Sequence, residues 1–101
     1  MNRTLDSRLF LNPVVLKSET GKNIAECIAR SNLKIKDLQN LLELEQPQAI
    51  YNWLSGKDMP KVDNLVKLAH FLDTTIDKLV AVDLRENHAE CDVPEKFLYI
   101  K

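Results

Sequence analysis

A short polar helix is the part of the chain best suited to recognition chemistry. Pro47 fits the first turn of a helix, where its missing N–H has no intrahelical partner, and Gly56 suits a left-handed C-terminal cap. The back of a helix over residues 47–54 would be apolar, and its front would carry three polar side chains: Gln48, Tyr51 and Asn52. Asn and Gln can form paired hydrogen bonds with an adenine edge in the major groove, so this pattern is typical of a helix that reads DNA.

Each feature of this helix also has a plainer interpretation. Gln48 and Asn52 can be ordinary solvated amides, and Tyr51 can be a partly exposed packing residue. Trp53 is better explained as a core residue than as a contact with DNA, because it lies on the apolar face. Lysines near the helix are ordinary surface charges by default. The choice between these interpretations depends on the fold.

The pattern of apolar residues predicts five short helices. The chain has only 2 glycines and is rich in leucine, which favours helices over a turn-dense β fold. The first helix is expected from near Gly21, with Thr20 as its cap, and the second covers about residues 35–42. The third is the helix over residues 47–54, and the fourth follows Pro60.

The fourth helix has the clearest apolar stripe of the chain. Its apolar residues recur at intervals of three and four: Val62, Leu65, Val66, Ala69 and Leu72. A short fifth helix follows, and Thr74 with Asp77 resembles a capping box at its start. The link between the second and third helices is short, and Leu44 within it is expected to fill the angle between them.

Both ends of the chain are expected to be extensions of one helical domain, residues 21–82. Residues 1–20 form an N-terminal arm, in which residues 9–16 could be a short edge strand or an extended segment, since a proline interrupts them. Residues 83–101 form an acidic C-terminal tail with an apolar end. That end, residues 97–100, could pair with the arm of the same or another chain.

Composition restricts the classes of function. A chain of 101 residues allows one domain with a modest core. No apolar run reaches the roughly 20 residues that span a bilayer, and no signal-peptide core follows the first residues, so the default location is the cytoplasm. Two cysteines, Cys27 and Cys91, do not make a disulfide framework, and Cys27 lies on an apolar helix face.

Catalytic and metal-binding patterns are not recognisable in the sequence. His88 and Cys91 have a ligand-like spacing, but no second pair completes the four ligands of a zinc site. The two glycines are isolated, so no phosphate-binding loop is present, and no nucleophile is paired with a base. We therefore expect no metal, no cofactor, no small-molecule ligand and no enzymatic activity.

The overall charge counts against nucleic-acid binding. The formal net charge is -1, whereas DNA-binding domains usually leave a basic footprint. Four lysines nevertheless flank the two central helices: Lys34, Lys36, Lys57 and Lys61. Carboxylates gather instead in the C-terminal tail, so the basic signal is local.

The helix order and apolar spacing resemble the lambda-repressor-like helix-turn-helix family of bacterial and phage regulators, also called the XRE family. The resemblance covers about residues 21–82 and is carried by Leu38, Leu42, Ile50, Trp53, Gly56, Pro60, Leu65, Leu68, Ala69, Leu72 and Leu79. The segments LQ-x-x-L and PQAIY-x-W look like a subset common in Gram-positive bacteria and their mobile elements. The resemblance implies an all-α, compact five-helix lambda-repressor-like domain with short N- and C-terminal extensions.

The resemblance also implies a set of contacts with double-stranded DNA. The helix over residues 47–54 would enter the major groove and present Gln46, Gln48, Tyr51 and Asn52. Gln48 and Asn52 are the best candidates for base edges, and Tyr51 could contact a thymine methyl group or a phosphate. Lys36 and Lys57 are candidates for phosphate contacts, which fix register without reading sequence. Lys34 and Lys61 are weaker candidates.

Two features depart from the family pattern. The turn between the second and third helices usually contains a glycine, but here residues 43–45 are Glu-Leu-Glu, and the link is one residue longer than in the commonest members. The small residue that usually follows the first leucine of the second helix is Gln39. Both changes bear on the tilt of the third helix.

The function expected from these features is sequence-specific DNA binding by a transcriptional regulator, by resemblance a repressor that acts as a homodimer. The alternative is a protein-interaction module on the same scaffold, an antitoxin-like or accessory partner without specific DNA binding. The acidic tail and the charge balance favour the alternative, whereas the amides of the third helix favour DNA. The dimer interface is open between the fifth helix, the N-terminal arm and residues 97–100.

Overall fold

The computed structural model describes residues 11–86, and this part of the chain is mostly helical. Its elements in chain order are β1 (Leu11–Val15), α1 (Lys17–Arg30), α2 (Ile35–Leu41), α3 (Gln48–Ser55), α4 (Val62–Phe71), α5 (Ile76–Leu79) and β2 (Val82–Glu86). The five expected helices are present. Within residues 11–86, no helix has the length and apolar character needed to cross a membrane.

The expectation of an all-α fold needs a correction, because β1 and β2 pair in a two-stranded sheet. A strand in the N-terminal arm was one of the open interpretations, but β2 lies where an acidic tail was expected. Residues 82–85 alternate apolar and charged side chains, a period of two that favours a strand, but the pattern covers only four residues and lies in a charged segment. The apolar residues 97–100 lie outside the described residues.

The described residues divide into a helical unit, Val15–Ala81, and a second unit that includes residues 11–14 and 82–86. The helical unit has one core, to which every helix contributes. Its buried members are Ile24, Leu38, Leu42, Ile50, Trp53, Leu68, Ala69, Leu72 and Leu79. Burial of Trp53 confirms its interpretation as a core residue. Cys27 is half-buried and packs against this core as a free thiol, as expected for a small apolar residue.

Helix α1 begins at Lys17, four residues before the expected start, and Thr20 is not its cap. Thr20 is instead 1% exposed, and its hydroxyl accepts a hydrogen bond from the backbone N–H of Ala81 at 2.9 Å. The N–H of Leu16 donates to the carbonyl of Ala81, also at 2.9 Å. The two ends of the helical unit therefore meet, and a threonine that looks like a cap satisfies a distant backbone group.

Two further details of the helices differ from the sequence interpretation. On α4, Val62 and Val66 are 74% and 53% exposed, so the buried face is formed by leucines and Ala69 and not by the valines. At the start of α5 the cap is Thr75, not Thr74, and its hydroxyl accepts from the N–H of Lys78 at 3.4 Å. The change of cap is a shift of one residue, which is the usual uncertainty of a helix boundary.

Candidate nucleic-acid interface

The link between α2 and α3 is held without the expected glycine. Glu43 occupies the left-handed region at φ 56°, the conformation in which a glycine would be unstrained. The side-chain amide of Gln39 donates to two carbonyls of the link, that of Leu44 at 3.3 Å and that of Glu45 at 3.2 Å. Leu44 packs against the core, as expected. The side chain of Gln39 therefore connects α2 to the link by two hydrogen bonds.

The positive φ of Glu43 predicts that Glu43→Gly stabilises the protein. A non-glycine residue in the left-handed region costs roughly 1–2 kcal/mol, and glycine loses about 0.5–1 kcal/mol through its more flexible unfolded chain. We expect a net gain of about 0.5 kcal/mol, or a rise in Tm of roughly 3 °C by calorimetry. Glu43→Ala is the control, since it removes the carboxylate but keeps the strain. An equal gain in both variants would show that charge, not backbone conformation, is responsible.

Helix α3 has a buried back that fixes it to the rest of the unit. Ile50 is fully buried and Trp53 is 5% exposed, and both belong to the core. Helix α1 approaches α3 closely at Gly21, where a Cβ atom would overlap the carbonyl oxygen of Trp53 and lie 2.6 Å from that of Leu54. The absence of a side chain at Gly21 therefore allows the two backbones to pack together.

The C-terminal end of α3 forms a Schellman turn at Gly56, as expected from the sequence. Gly56 has φ 81°, and its N–H donates to the carbonyl of Trp53 at 3.2 Å. The backbone N–H groups of Lys57 and Asp58 both donate to the carbonyl of Asn52, at 3.0 and 3.2 Å. The turn therefore brings the chain back alongside the last turn of α3.

The polar residues expected to read DNA lie on or next to the exposed face of α3. Gln46 and Gln48 are exposed at its N-terminal end, and Tyr51 is 49% exposed. Asn52 differs from these three, because it is only partly exposed. Three of the four, Gln48, Tyr51 and Asn52, therefore lie on α3 itself, and Gln46 lies two residues before its first residue.

Asn52 belongs to a chain of hydrogen bonds that sequence reasoning missed. The amide nitrogen of Gln48 donates to Oδ1 of Asn52 at 3.0 Å, and Nδ2 of Asn52 donates to Oδ2 of Asp58 at 3.3 Å. Spacing of four residues on a helix could have suggested the first contact. The second requires the turn at Gly56, and a left-handed cap two residues before a carboxylate is a weaker signal.

The lysines expected to contact phosphates are exposed. Lys36 lies in the first turn of α2, and Lys57 follows the end of α3. Lys34 precedes α2, and its backbone N–H donates to the carboxylate of Asp37 at 2.8 Å. Two exposed carboxylates, those of Glu45 and Asp58, lie near these lysines in the sequence. The candidate interface is therefore mixed in charge.

The histidines and cysteines of the chain were also candidates for a metal site. Within residues 11–86, no group of three His, Cys, Asp or Glu side chains is placed to hold a metal ion. His70 is exposed and lies edge-on to Phe71, with ring centroids 5.2 Å apart. His88 and Cys91 lie outside the described residues.

A helix with a packed back and a polar front, preceded by a second helix across a short link, defines the helix-turn-helix class of DNA-binding domain. The sequence profile of the helix-turn-helix family matches residues 24–79, more than half of the 101-residue chain. The chain belongs to this family, of the XRE type, whose members are DNA-binding regulators. Searches with the chain find no match among curated proteins and none among solved structures.

Proposed function

We propose that the protein is a sequence-specific transcriptional regulator, a repressor that binds its operator as a homodimer with α3 in the major groove. The observation that carries this proposal is the division of α3 into a buried apolar back and an exposed amide-bearing front. Ile50 and Trp53 hold the helix by its back, while Gln48 and Tyr51 are left at the surface. A helix packed through its back that exposes an amide side chain is suited to direct readout of base edges.

The residues of the interface divide into readers and anchors. Gln48 is proposed to contact a base edge, with Gln46 and Tyr51 beside it, and Lys36 and Lys57 to contact phosphates. Two-fold symmetry would place the α3 helices of a homodimer roughly 34 Å apart, one turn of DNA, on a palindromic operator. With two phosphate contacts per protomer, the logarithm of affinity should fall with the logarithm of salt with a slope of about -3.6.

Selection from randomised duplex DNA, followed by sequencing of the retained fraction, tests this function. The wild-type protein is expected to enrich a palindromic motif, because each protomer reads the same bases in its own half-site. Gln48→Ala should reduce the preference at two symmetry-related base pairs by about tenfold, since a bidentate contact is worth about 1–3 kcal/mol. Gln48 is exposed, so the Tm should stay unchanged, which separates lost recognition from lost folding.

Lysine variants separate anchoring from reading in the same assay. Lys57→Ala should weaken binding to all sequences alike and reduce the magnitude of the salt slope by about 1.8, because a homodimer loses one phosphate contact in each protomer. Lys22→Ala is the matched control, because Lys22 is exposed on α1 and pairs with Glu19 on its own helix at 3.3 Å. Salt-sensitive retention without an enriched motif would leave only phosphate binding. No retention near about 100 mM salt would contradict the proposal and favour a protein-interaction module on this scaffold.

A further inference from the structure

We propose that Asp58 is a positioning residue for base recognition, which orients the amide of Gln48 through Asn52. Asn52 then transmits orientation and does not itself read a base. This inference rests on the proposed function, because it concerns how the same helix face selects a sequence. It changes the expected roles of two residues: Asn52 is no longer expected to contact a base, and the carboxylate of Asp58 is expected to contribute to base recognition.

The direction of the hydrogen bonds is determined by the carboxylate. A carboxylate can only accept, so the side of the Asn52 amide that faces Asp58 must be the NH₂ group, at 3.3 Å. Oδ1 of Asn52 is therefore turned towards Gln48, where it accepts from the amide nitrogen at 3.0 Å. Gln48 must present its own NH₂ group to Asn52. One acceptor-only group at the end of the chain thus orients both amides.

Backbone geometry holds Asp58 in this position. The N–H of Asp58 donates to the carbonyl of Asn52 at 3.2 Å, beside the N–H of Lys57 at 3.0 Å. Gly56, at φ 81°, makes this return of the chain possible. The same residue, Asn52, therefore receives the backbone of Asp58 through its carbonyl and donates to the carboxylate through its side chain.

The consequence for recognition depends on which donors and acceptors of each amide remain available to DNA. Asn52 uses both its oxygen and its nitrogen within the protein and is partly buried, so it is poorly placed for a bidentate base contact. Gln48 is exposed and keeps one amide hydrogen and its oxygen. A donor and an acceptor side by side match N7 and N6 of adenine. Without the carboxylate, Asn52 could turn over and Gln48 with it, which would exchange donor and acceptor.

The test compares Asp58→Asn with Asp63→Asn in selection from randomised duplexes. Both aspartates are exposed, line one groove and lose one negative charge on substitution, so non-specific affinity should rise similarly in both variants. They differ in one respect: among the described residues, Asp58 accepts a hydrogen bond from a side chain of α3, and Asp63 does not. We expect Asp58→Asn to lower the base preference about tenfold at the base pair that Gln48→Ala affects, and Asp63→Asn to leave it unchanged.

A nuclear magnetic resonance measurement on the free protein tests the hydrogen bond without DNA. The side-chain NH₂ signals of Asn52 should shift in Asp58→Asn and stay in place in Asp63→Asn. Unchanged signals together with an unchanged base preference would overturn the positioning role while leaving the proposed function intact. A preference lost at a different base pair from that of Gln48→Ala would also overturn it, because Asp58 would then contact a base directly. Failure of the wild-type protein to enrich any motif would instead defeat the proposed function.

Discussion

Trp53→Ala is expected to lower the free energy of unfolding by about 3–5 kcal/mol, the largest effect of any single substitution proposed for this protein. Trp53 is 5% exposed and packs in the core together with Ile24, Leu38 and Ile50. Truncation removes a large buried apolar surface and leaves a cavity that the short helices around it can fill only in part. Because small domains are stable by only about 5–15 kcal/mol, much of this margin would be lost.

Urea denaturation followed by far-ultraviolet circular dichroism measures this loss, since the fluorescent tryptophan is absent from the variant. Tyr51→Ala is the matched control, because Tyr51 is an aromatic residue on the same helix but is 49% exposed. Its truncation should cost about 0.5 kcal/mol or less. Similar losses in the two variants would contradict the assignment of Trp53 to the core and Tyr51 to the surface.

Gly21→Ala is expected to destabilise the protein by about 2 kcal/mol, although alanine is the better helix former. Overlap of the new Cβ atom with the carbonyl oxygens of Trp53 and Leu54 forces α1 and α3 apart, at a cost of about 3 kcal/mol. The higher helix propensity of alanine offsets about 1 kcal/mol of this. A backbone contact cannot be relieved by turning a side chain, so the shift has to be absorbed by the position of α3.

The control for Gly21→Ala is Ala25→Gly, at an exposed position one turn further along α1. It should cost about 1 kcal/mol through propensity alone, and so it measures the term that opposes the steric effect. In addition, backbone amide signals of Trp53 and Leu54 should shift in Gly21→Ala and stay in place in the control. A stabilising Gly21→Ala would contradict the close approach of the two helices.

Much of the helical unit could be predicted because its local signals agree with each other. Pro47 and Gly56 bracket α3 by their backbone preferences, and the apolar pattern places Ile50 and Trp53 inside. The start of α1 was missed because Thr20 satisfies the N–H of Ala81, 61 residues away, and no local pattern reports that. Strand β2 was missed because a four-residue alternation of apolar and charged side chains in a charged segment is a weak signal.

The candidate site could be predicted only in part, because its polar side chains act on one another. The exposure of Gln48 and Tyr51 follows from helical periodicity alone. The engagement of Asn52 by Asp58 depends on a turn that brings residues six apart into contact, and helix periodicity does not describe residues beyond the helix. Likewise, the hydrogen bonds of Gln39 to the carbonyls of Leu44 and Glu45 span five and six residues, which helix periodicity does not predict.

The meeting of the two ends of the helical unit gives the protein a modular character. The N–H of Leu16 donates to the carbonyl of Ala81 at 2.9 Å, so the first and last residues of this unit are close in space. A segment with adjacent ends can be grafted into a surface loop of a host protein without spreading that loop. Equally, a short linker between the two ends would allow circular permutation, with new termini in the turn after α4. The order of the helices along the chain can therefore be changed while the exposed face of α3 is retained.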